Sequence, residues 1–373
     1  MLFRQIFLMY FALTLVLVLG MRAGLRAWLS WRRNRGHNVR RTLIIGTGSE
    51  AMSVTREINS NNKEWGAVIV GYLAILSQHI QHSSIARKKV RGTLKDLADI
   101  LRNEVIDDVL IAVGRQYENQ MQEAIKICEA MGVNIKVKEL MSIFQKPNTK
   151  IEIAHIGSMQ CLSFTTYPAR SWGLWLKRVM DMVLSLCGLL VLIPLVLLPI
   201  AILIKVTSRG PIFFLQERVG MRNRLFKIIK FRTMVINAEA LKAELMSKNE
   251  NKDGITFKMK KDPRLTKIGG FLRRTSIDEL PQLFNVLLGN MSLVGPRPPL
   301  QTEVKKYTDN YLKRLAVRPG ITGLWQISGR SEVSEFDKWV ALDACYIDTW
   351  SFWQDIRILM KTIPVVLLRK GAY

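Results

Sequence analysis

Residues 182–204 read MVLSLCGLLVLIPLVLLPIAILI, an apolar run with a proline at its centre. No other stretch limits the fold as tightly. About 23 helical residues are enough to cross a bilayer. The flanks oppose a crossing. Lys177 and Arg178 lie before the run, and Lys205, Arg209, Arg218, Arg222 and Arg224 lie after it. Clustered cations mark the cytoplasmic side, so both ends belong on one face. Pro194 removes a backbone hydrogen bond and bends the helix. Each half, about 18 Å long, is too short to span alone. The sequence thus predicts a helix over about 180–205 that enters the membrane, breaks at Pro194 and returns. The alternative is an ordinary span with a tolerated proline. That would carry everything after it to the opposite side.

A shorter apolar run, Ile6 to Met21, is followed by Arg22, Arg26, Arg32, Arg33, Arg35, Arg40 and Arg41. Residues 1–38 therefore read as a membrane anchor and basic linker, with the arginines in the cytoplasm. The arginines and the lack of an A-x-A-like site argue against a cleaved signal peptide. Across 373 residues, 55 Lys and Arg stand against 30 Asp and Glu, a net charge of +25. Such an excess asks for a polyanionic partner. The cations interleave with membrane-type runs, which favours anionic lipid and phosphorylated substrates over nucleic acid. Cys128, Cys161, Cys187 and Cys345 are scattered, as free thiols in a reducing compartment would be. The four histidines form no metal-binding cluster.

Residues 39–165 alternate short apolar runs with helical patterns. Strands are expected at Arg41–Gly48, Gly66–Ile75, Asp107–Val113 and Asn134–Leu140. Helices are expected at Leu94–Asn103 and Gln116–Met131. This alternation predicts an α/β, Rossmann-like parallel sheet. The dinucleotide fingerprint is incomplete. Gly46 and Gly48 are present, but Ala51 or Met52 stands near the third glycine position. No acidic residue follows the second strand to hold a ribose. A structural or regulatory domain is the better reading. No tyrosine has a lysine four residues on, as a fused epimerase or dehydratase would want.

The densest polar signatures follow the proline-broken run: QERVG (Gln216–Gly220), KFRTM (Lys230–Met234), KDPRLTKIGGFLRRTSIDELPQL (Lys261–Leu283), GPRP (Gly295–Pro298) and RPGITGLWQISGR (Arg318–Arg330). Within the third, Ser276 and Glu279 have capping-box spacing, and Asp278 suits the first turn of a helix. A structural account therefore exists. Yet a capping box needs one acid, not two, and Arg273 and Arg274 add cations where a helix start is already positive. Such a place is suited to phosphate. An aspartate there could attack phosphorus, with cations offsetting the charge that develops. The adjacent glutamate could hold Mg²⁺, which binds through one or two carboxylates plus substrate phosphates.

With these motifs in this order, residues 170–373 resemble the bacterial sugar transferases, the monotopic polyprenyl-phosphate phosphoglycosyltransferases. The long form of that family also carries a preceding Rossmann-like domain. The resemblance implies a mostly helical catalytic domain with a re-entrant helix broken at Pro194. It implies transfer of sugar-1-phosphate from a UDP-sugar to undecaprenyl phosphate, with release of UMP, to begin exopolysaccharide, O-antigen or capsule repeat units. Asp278 would be the nucleophile that forms a phosphosugar–aspartyl intermediate, and Glu279 the Mg²⁺ ligand. Arg232, Arg264, Arg297 and Arg318 are expected to contact substrate, although lipid contact explains a lone arginine as well. Gln282 is expected to support the dyad or simply to begin a helix. Gly320 and Gly323 are expected to shape a turn. The implied location is the inner membrane, with the catalytic domain on its cytoplasmic face. The implied partners are membrane lipids, a second copy or other polysaccharide-assembly proteins. Two departures from the family are the single N-terminal apolar run where long members carry four, and Ile193 where many have serine before the proline. Rival readings are a lipid glycosyltransferase that releases UDP and a non-catalytic scaffold.

The charges between Ala238 and Asn251 alternate as on an exposed helix. The tail carries Trp339, Tyr346, Trp350 and Trp353 among apolar and basic residues. It reads equally as interfacial amphipathic helices or as a plain helical core.

Overall fold

The computed structural model describes residues 2–34, 39–60, 66–76, 89–138, 150–156, 159–165, 171–235, 238, 241, 259, 262–328 and 336–367. The Ala238–Asn251 helix expected above lies outside these, apart from Ala238 and Leu241.

The N-terminal apolar run is part of one helix, Leu2–Asn34, which also takes in Arg22, Arg26, Arg32 and Arg33. A sheet of seven strands follows, in the order β3-β2-β1-β4-β5-β7-β6. The strands are β1 (Arg40–Ile45), β2 (Ala67–Ala74), β3 (Val90–Thr93), β4 (Asp108–Ile111), β5 (Asn134–Val137), β6 (Lys150–Ile156) and β7 (Met159–Thr165). The first five run parallel. Crossover helices Ser49–Ser60, Leu97–Asn103 and Glu118–Met131 cover the two faces. The strand alternation explains the layers. Leu43 and Ile45 enter one core with Leu97, Val109 and Ile125. Ile44 points to the other face, against Ala51, Val54 and Ile58. Buried on both faces, such strands read as near-continuous apolar runs, which is why β1 and β4 were visible in the sequence. Gly46, at φ +125°, ends β1 where a Cβ would lie 2.2 Å from the Ala112 carbonyl oxygen.

The proline-broken run forms a helix Ser171–Leu192, a π-helical stretch Ile193–Leu197 and a helix Leu198–Thr207. The ladder thus widens where Pro194 supplies no donor. Leu189 and Leu192 before the break, and Leu197, Ile200 and Ile204 after it, join one apolar cluster with Phe231 and Leu272. Both arms therefore rest on the same core. Their outward faces are bare: Leu190, Leu195, Leu198 and Ile202 are all exposed.

The remaining described residues pack around two small sheets. β8 (Phe213–Val219) and β9 (Leu225–Phe231) form an antiparallel hairpin, with Phe213 opposite Phe231 and Val219 opposite Leu225. β10 (Ser292–Val294) and β11 (Gly320–Thr322) pair in parallel. Helices Gln282–Leu288, Phe336–Asp348 and Phe352–Leu367 complete a mostly helical domain. The tail divides between the two readings given it: Tyr346, Ile347 and Ile358 are core, while Trp353, Met360 and Ile363 are exposed.

The hairpin turn joins the two halves of the molecule. Arg222 and Asn223 there are left-handed, at φ 56° and 61°. Arg222 donates to Asp107 Oδ1 at 2.9 Å, and Arg224 reaches both Asp107 oxygens at 2.7 Å. The Asn223 amide donates to the Leu101 and Arg102 carbonyls that end a crossover helix of the first domain. Burial would raise the Asp107 pKa, but Arg224, the Arg41 N–H and Arg222 hold it down at about 2.

Candidate active site

The two acids sit on a three-residue 3₁₀ turn, Ile277–Glu279, ahead of Pro281 and the helix Gln282–Leu288. Behind the turn, the helix Gly269–Arg274 leads through Thr275 to Ser276. Ser276 has φ 56° and ψ 16°, and its side chain makes no cap bond. The capping box expected from its spacing therefore does not form, because an N-cap needs extended backbone. The chain reverses sharply at Ser276 and turns the acids inward. Asp278 is 7 % exposed. Glu279 is more open and accepts from Lys230 Nζ at 2.7 Å.

Burial raises the Asp278 pKa, and the neighbouring Glu279 charge raises it further. Lys230 and Arg273 oppose this, and the group ends near 6. Asp278 is thus a carboxylate at neutral pH, held in a place that disfavours its charge. That raises its reactivity toward an electrophile.

Above the dyad lies a cleft with about 460 Å³ of free space. Its charged wall is Arg218 on β8, Lys230 on β9 and Arg297 from GPRP; Gln282, Ile321, Trp325 and Gln326 also line it. Arg218 donates to the Pro298 carbonyl at 3.0 Å and twice to Gln216 Oε1. Burial, then the Arg297 charge, lower its pKa to about 10, which leaves it a cation. Arg297 lies 3.7 Å from Glu303. The GPRP and RPG segments interlock through glycines: a Cβ on Gly320 would fall 2.1 Å from the Gly295 nitrogen, and one on Gly323 2.5 Å from its carbonyl oxygen. Gly320 donates to the Pro296 carbonyl. These glycines let two loops close on each other, so that Arg297 is presented at the cleft.

Of the residues singled out in the sequence, the structure gathers Asp278, Glu279, Gln282 and Arg297. Arg232 faces away, donating to the carbonyls of Ser208 and Arg209 at the end of the membrane helix and to Ser208 Oγ. Arg264 is buried and doubly bonded to Asp262. The Arg318 side chain is exposed on the RPG loop, outside the cleft lining. Sequence reasoning passed over Arg218, Lys230, Trp325 and Gln326. The signal for Lys230 was present: on a strand ending at Phe231, period two puts Ile228 and Lys230 on one face. Among the described residues no group of three or more His, Cys, Asp or Glu is placed to hold a metal.

Fold and cleft together define a membrane-associated protein of two parts, a parallel-sheet domain and a mostly helical domain with an acidic dyad, one member buried and one lining a cationic cleft. The chain belongs to the bacterial sugar transferase family, whose pattern matches residues 172–369. A second pattern, described as a CoA-binding domain, matches residues 2–137. A galactosyl transferase of Streptococcus agalactiae is 39% identical over 79% of this chain and 64% of its own length. An undecaprenyl-phosphate galactose phosphotransferase of Salmonella typhimurium is 42% identical over 61% of this chain and 48% of its own length. This chain thus spans less than two thirds of either relative. A UDP-glucose:undecaprenyl-phosphate glucose-1-phosphate transferase of Escherichia coli is 31% identical over 99% of this chain and 76% of its own length.

Proposed function

We propose that the protein moves a sugar-1-phosphate from a UDP-sugar to undecaprenyl phosphate and releases UMP. The observation that carries this is the buried Asp278, with its pKa near 6, beside the Glu279–Lys230 pair under a cationic cleft. In the first step an Asp278 carboxylate oxygen attacks the β-phosphorus. The bond from that phosphorus to the α–β bridging oxygen breaks, and UMP departs with the oxygen. In the second step an oxygen of the lipid phosphate attacks the same phosphorus and Asp278 leaves as carboxylate. Lys230, Arg218 and Arg297 offset the negative charge gathered in the cleft.

The cleft's donors fit Mg²⁺. The Glu279 carboxylate faces the cleft, a hard oxygen ligand of the type that cation takes beside substrate phosphates. Glu279 would hold the ion, with Lys230 remaining the neighbouring cation. Bound there, Mg²⁺ supplies Lewis-acid neutralisation of diphosphate charge.

The re-entrant helix keeps both of its ends on one side of the bilayer. The flanking cations make that side the cytoplasmic face of the inner membrane, where a nucleotide sugar and a lipid phosphate can meet. The relatives divide between galactose and glucose transferases, so a hexose is the sugar we infer. Initiation of an exopolysaccharide, O-antigen or capsule unit follows from a lipid-diphosphate sugar product. The test is nucleotide release: detergent-purified protein with undecaprenyl phosphate and Mg²⁺ receives a panel of UDP-sugars. UMP with one hexose is expected. UDP would replace this reading with simple glycosyl transfer, and neither nucleotide from folded protein would leave a scaffold.

A further inference from the structure

Two polar groups in the cleft have no part in the chemistry above. Trp325 and Gln326 stand side by side on the four-residue helix Leu324–Ile327, just after Gly323. They are 7 % and 8 % exposed, and both line the cleft. The indole Nε1 of Trp325 and the Oε1 of Gln326 are both buried without a hydrogen-bond partner. Buried polar groups in native proteins are nearly always bonded, so two orphans on adjacent residues that line one cleft call for a reason.

Their polarity is fixed. Indole nitrogen only donates. Gln326 Nε2 already donates to the Ile321 carbonyl at 3.1 Å. Flipping the amide would bring two acceptors together there, so Oε1 is the end left over and it only accepts. The rings are held as well: Trp325 stacks on Trp339 with centroids 4.7 Å apart and planes at 27°. A sugar hydroxyl rotates and would not require such fixed polarity. A nucleobase edge has fixed polarity of its own.

Resting on the cleft being a UDP-sugar site, we propose that Trp325 and Gln326 read the imide edge of uracil. Trp325 Nε1–H donates to uracil O4, and Gln326 Oε1 accepts from N3–H. With the phosphates anchored on Arg218 and Arg297, cytosine offers the opposite polarity at the same positions. Trp325 and Gln326 are thus specificity residues for the nucleotide, separate from the dyad that performs transfer.

The experiment is equilibrium binding of UMP, CMP and N3-methyl-UMP to the full chain in detergent, with pyrophosphate as a control for the phosphate end. Wild type is expected to favour UMP over the other two by at least about tenfold, since a buried group left unpaired is costly. N3-methyl-UMP makes this test without any substitution. Trp325→Phe keeps the stacked ring and removes only the N–H, and Gln326→Leu removes the acceptor. Each should bring UMP and CMP to within about threefold while pyrophosphate binding stays unchanged. An undiminished UMP preference in both variants would overturn the proposal and leave the reaction reading intact. So would a change confined to discrimination between UDP-glucose and UDP-galactose, which would make the pair a sugar reader. If wild type binds no uridine nucleotide at all, the cleft is not a UDP-sugar site and both readings go.

Discussion

Asp107 at the domain junction and Asp278 beside the cleft-lining Glu279 are the same residue type, both deeply buried and both near cations. They are driven in opposite directions, to about 2 and about 6. The difference is contact. At the junction Arg222 and Arg224 bond the carboxylate itself. In the cleft Lys230 is bonded to Glu279 instead, Arg273 Nε donates to Thr233 Oγ1, and both act on Asp278 through space. Bonded cations make an inert structural charge, whereas the same charges a few ångströms off leave a carboxylate unsatisfied enough to react.

The sharpest way to break this comparison is to neutralise each acid. Asp278→Asn should lower turnover by at least about a thousandfold and abolish any covalent adduct seen by intact-protein mass spectrometry. Full activity would remove its role as nucleophile. Next in size, Lys230→Met takes away the cation that holds the dyad down. The first step should slow roughly a hundredfold at neutral pH, with its apparent pKa displaced upward. A pH–rate profile checks both. Asp107→Ala should leave the adduct chemistry and cost about 3 kcal/mol in denaturant unfolding, because two arginines lose their partner at the junction. An unchanged midpoint would show that Asn223 and the surrounding packing carry the junction alone.

The smallest effect is the pH window itself. Asp278 must be ionised to attack, so adduct formation in the absence of lipid should rise with pH through about 6. Asp107 has its folded pKa depressed below the ordinary 3.8. Its stabilisation is complete above that value and is lost only as pH falls toward 2. Between about pH 4 and 6 the protein should therefore be intact and slow. Scanning stability and adduct rate over one pH series would show the two curves separate, or merge and end the distinction.

Much of this was legible where local pattern decides. β1 and β4 are apolar runs, and the π-helical break lies at Pro194, as its missing donor required. The hairpin of β6 and β7 was not foreseen. It adds to the sheet antiparallel, with polar residues such as Glu152, Gln160 and Ser163 among its apolar ones. The dyad stands out by its unusual charge pattern, whereas the Ser276 capping spacing does not yield a cap, because backbone sign is not written in residue spacing. Arg232 stands out in the sequence as a cation in a polar motif, and its guanidinium bonds Ser208 and Arg209 at the end of the apolar helix. Lys230, two places earlier, meets the dyad through a contact with Glu279 that no local window contains.

Arg178 donates to the carbonyls of Val286 and Leu287, the last turn of the helix that begins beside the dyad. At the far arm, Arg232 holds Ser208 and Arg209. The apolar helix is thus tied to the catalytic domain before and after its π-helical stretch at Pro194. An anchor that touches one leaflet does not have to match the full hydrocarbon thickness. In the re-entrant arrangement proposed above, the stretch around Pro194 would shift within the hydrocarbon as the bilayer thickens or thins, while the tethered ends stay with the domain.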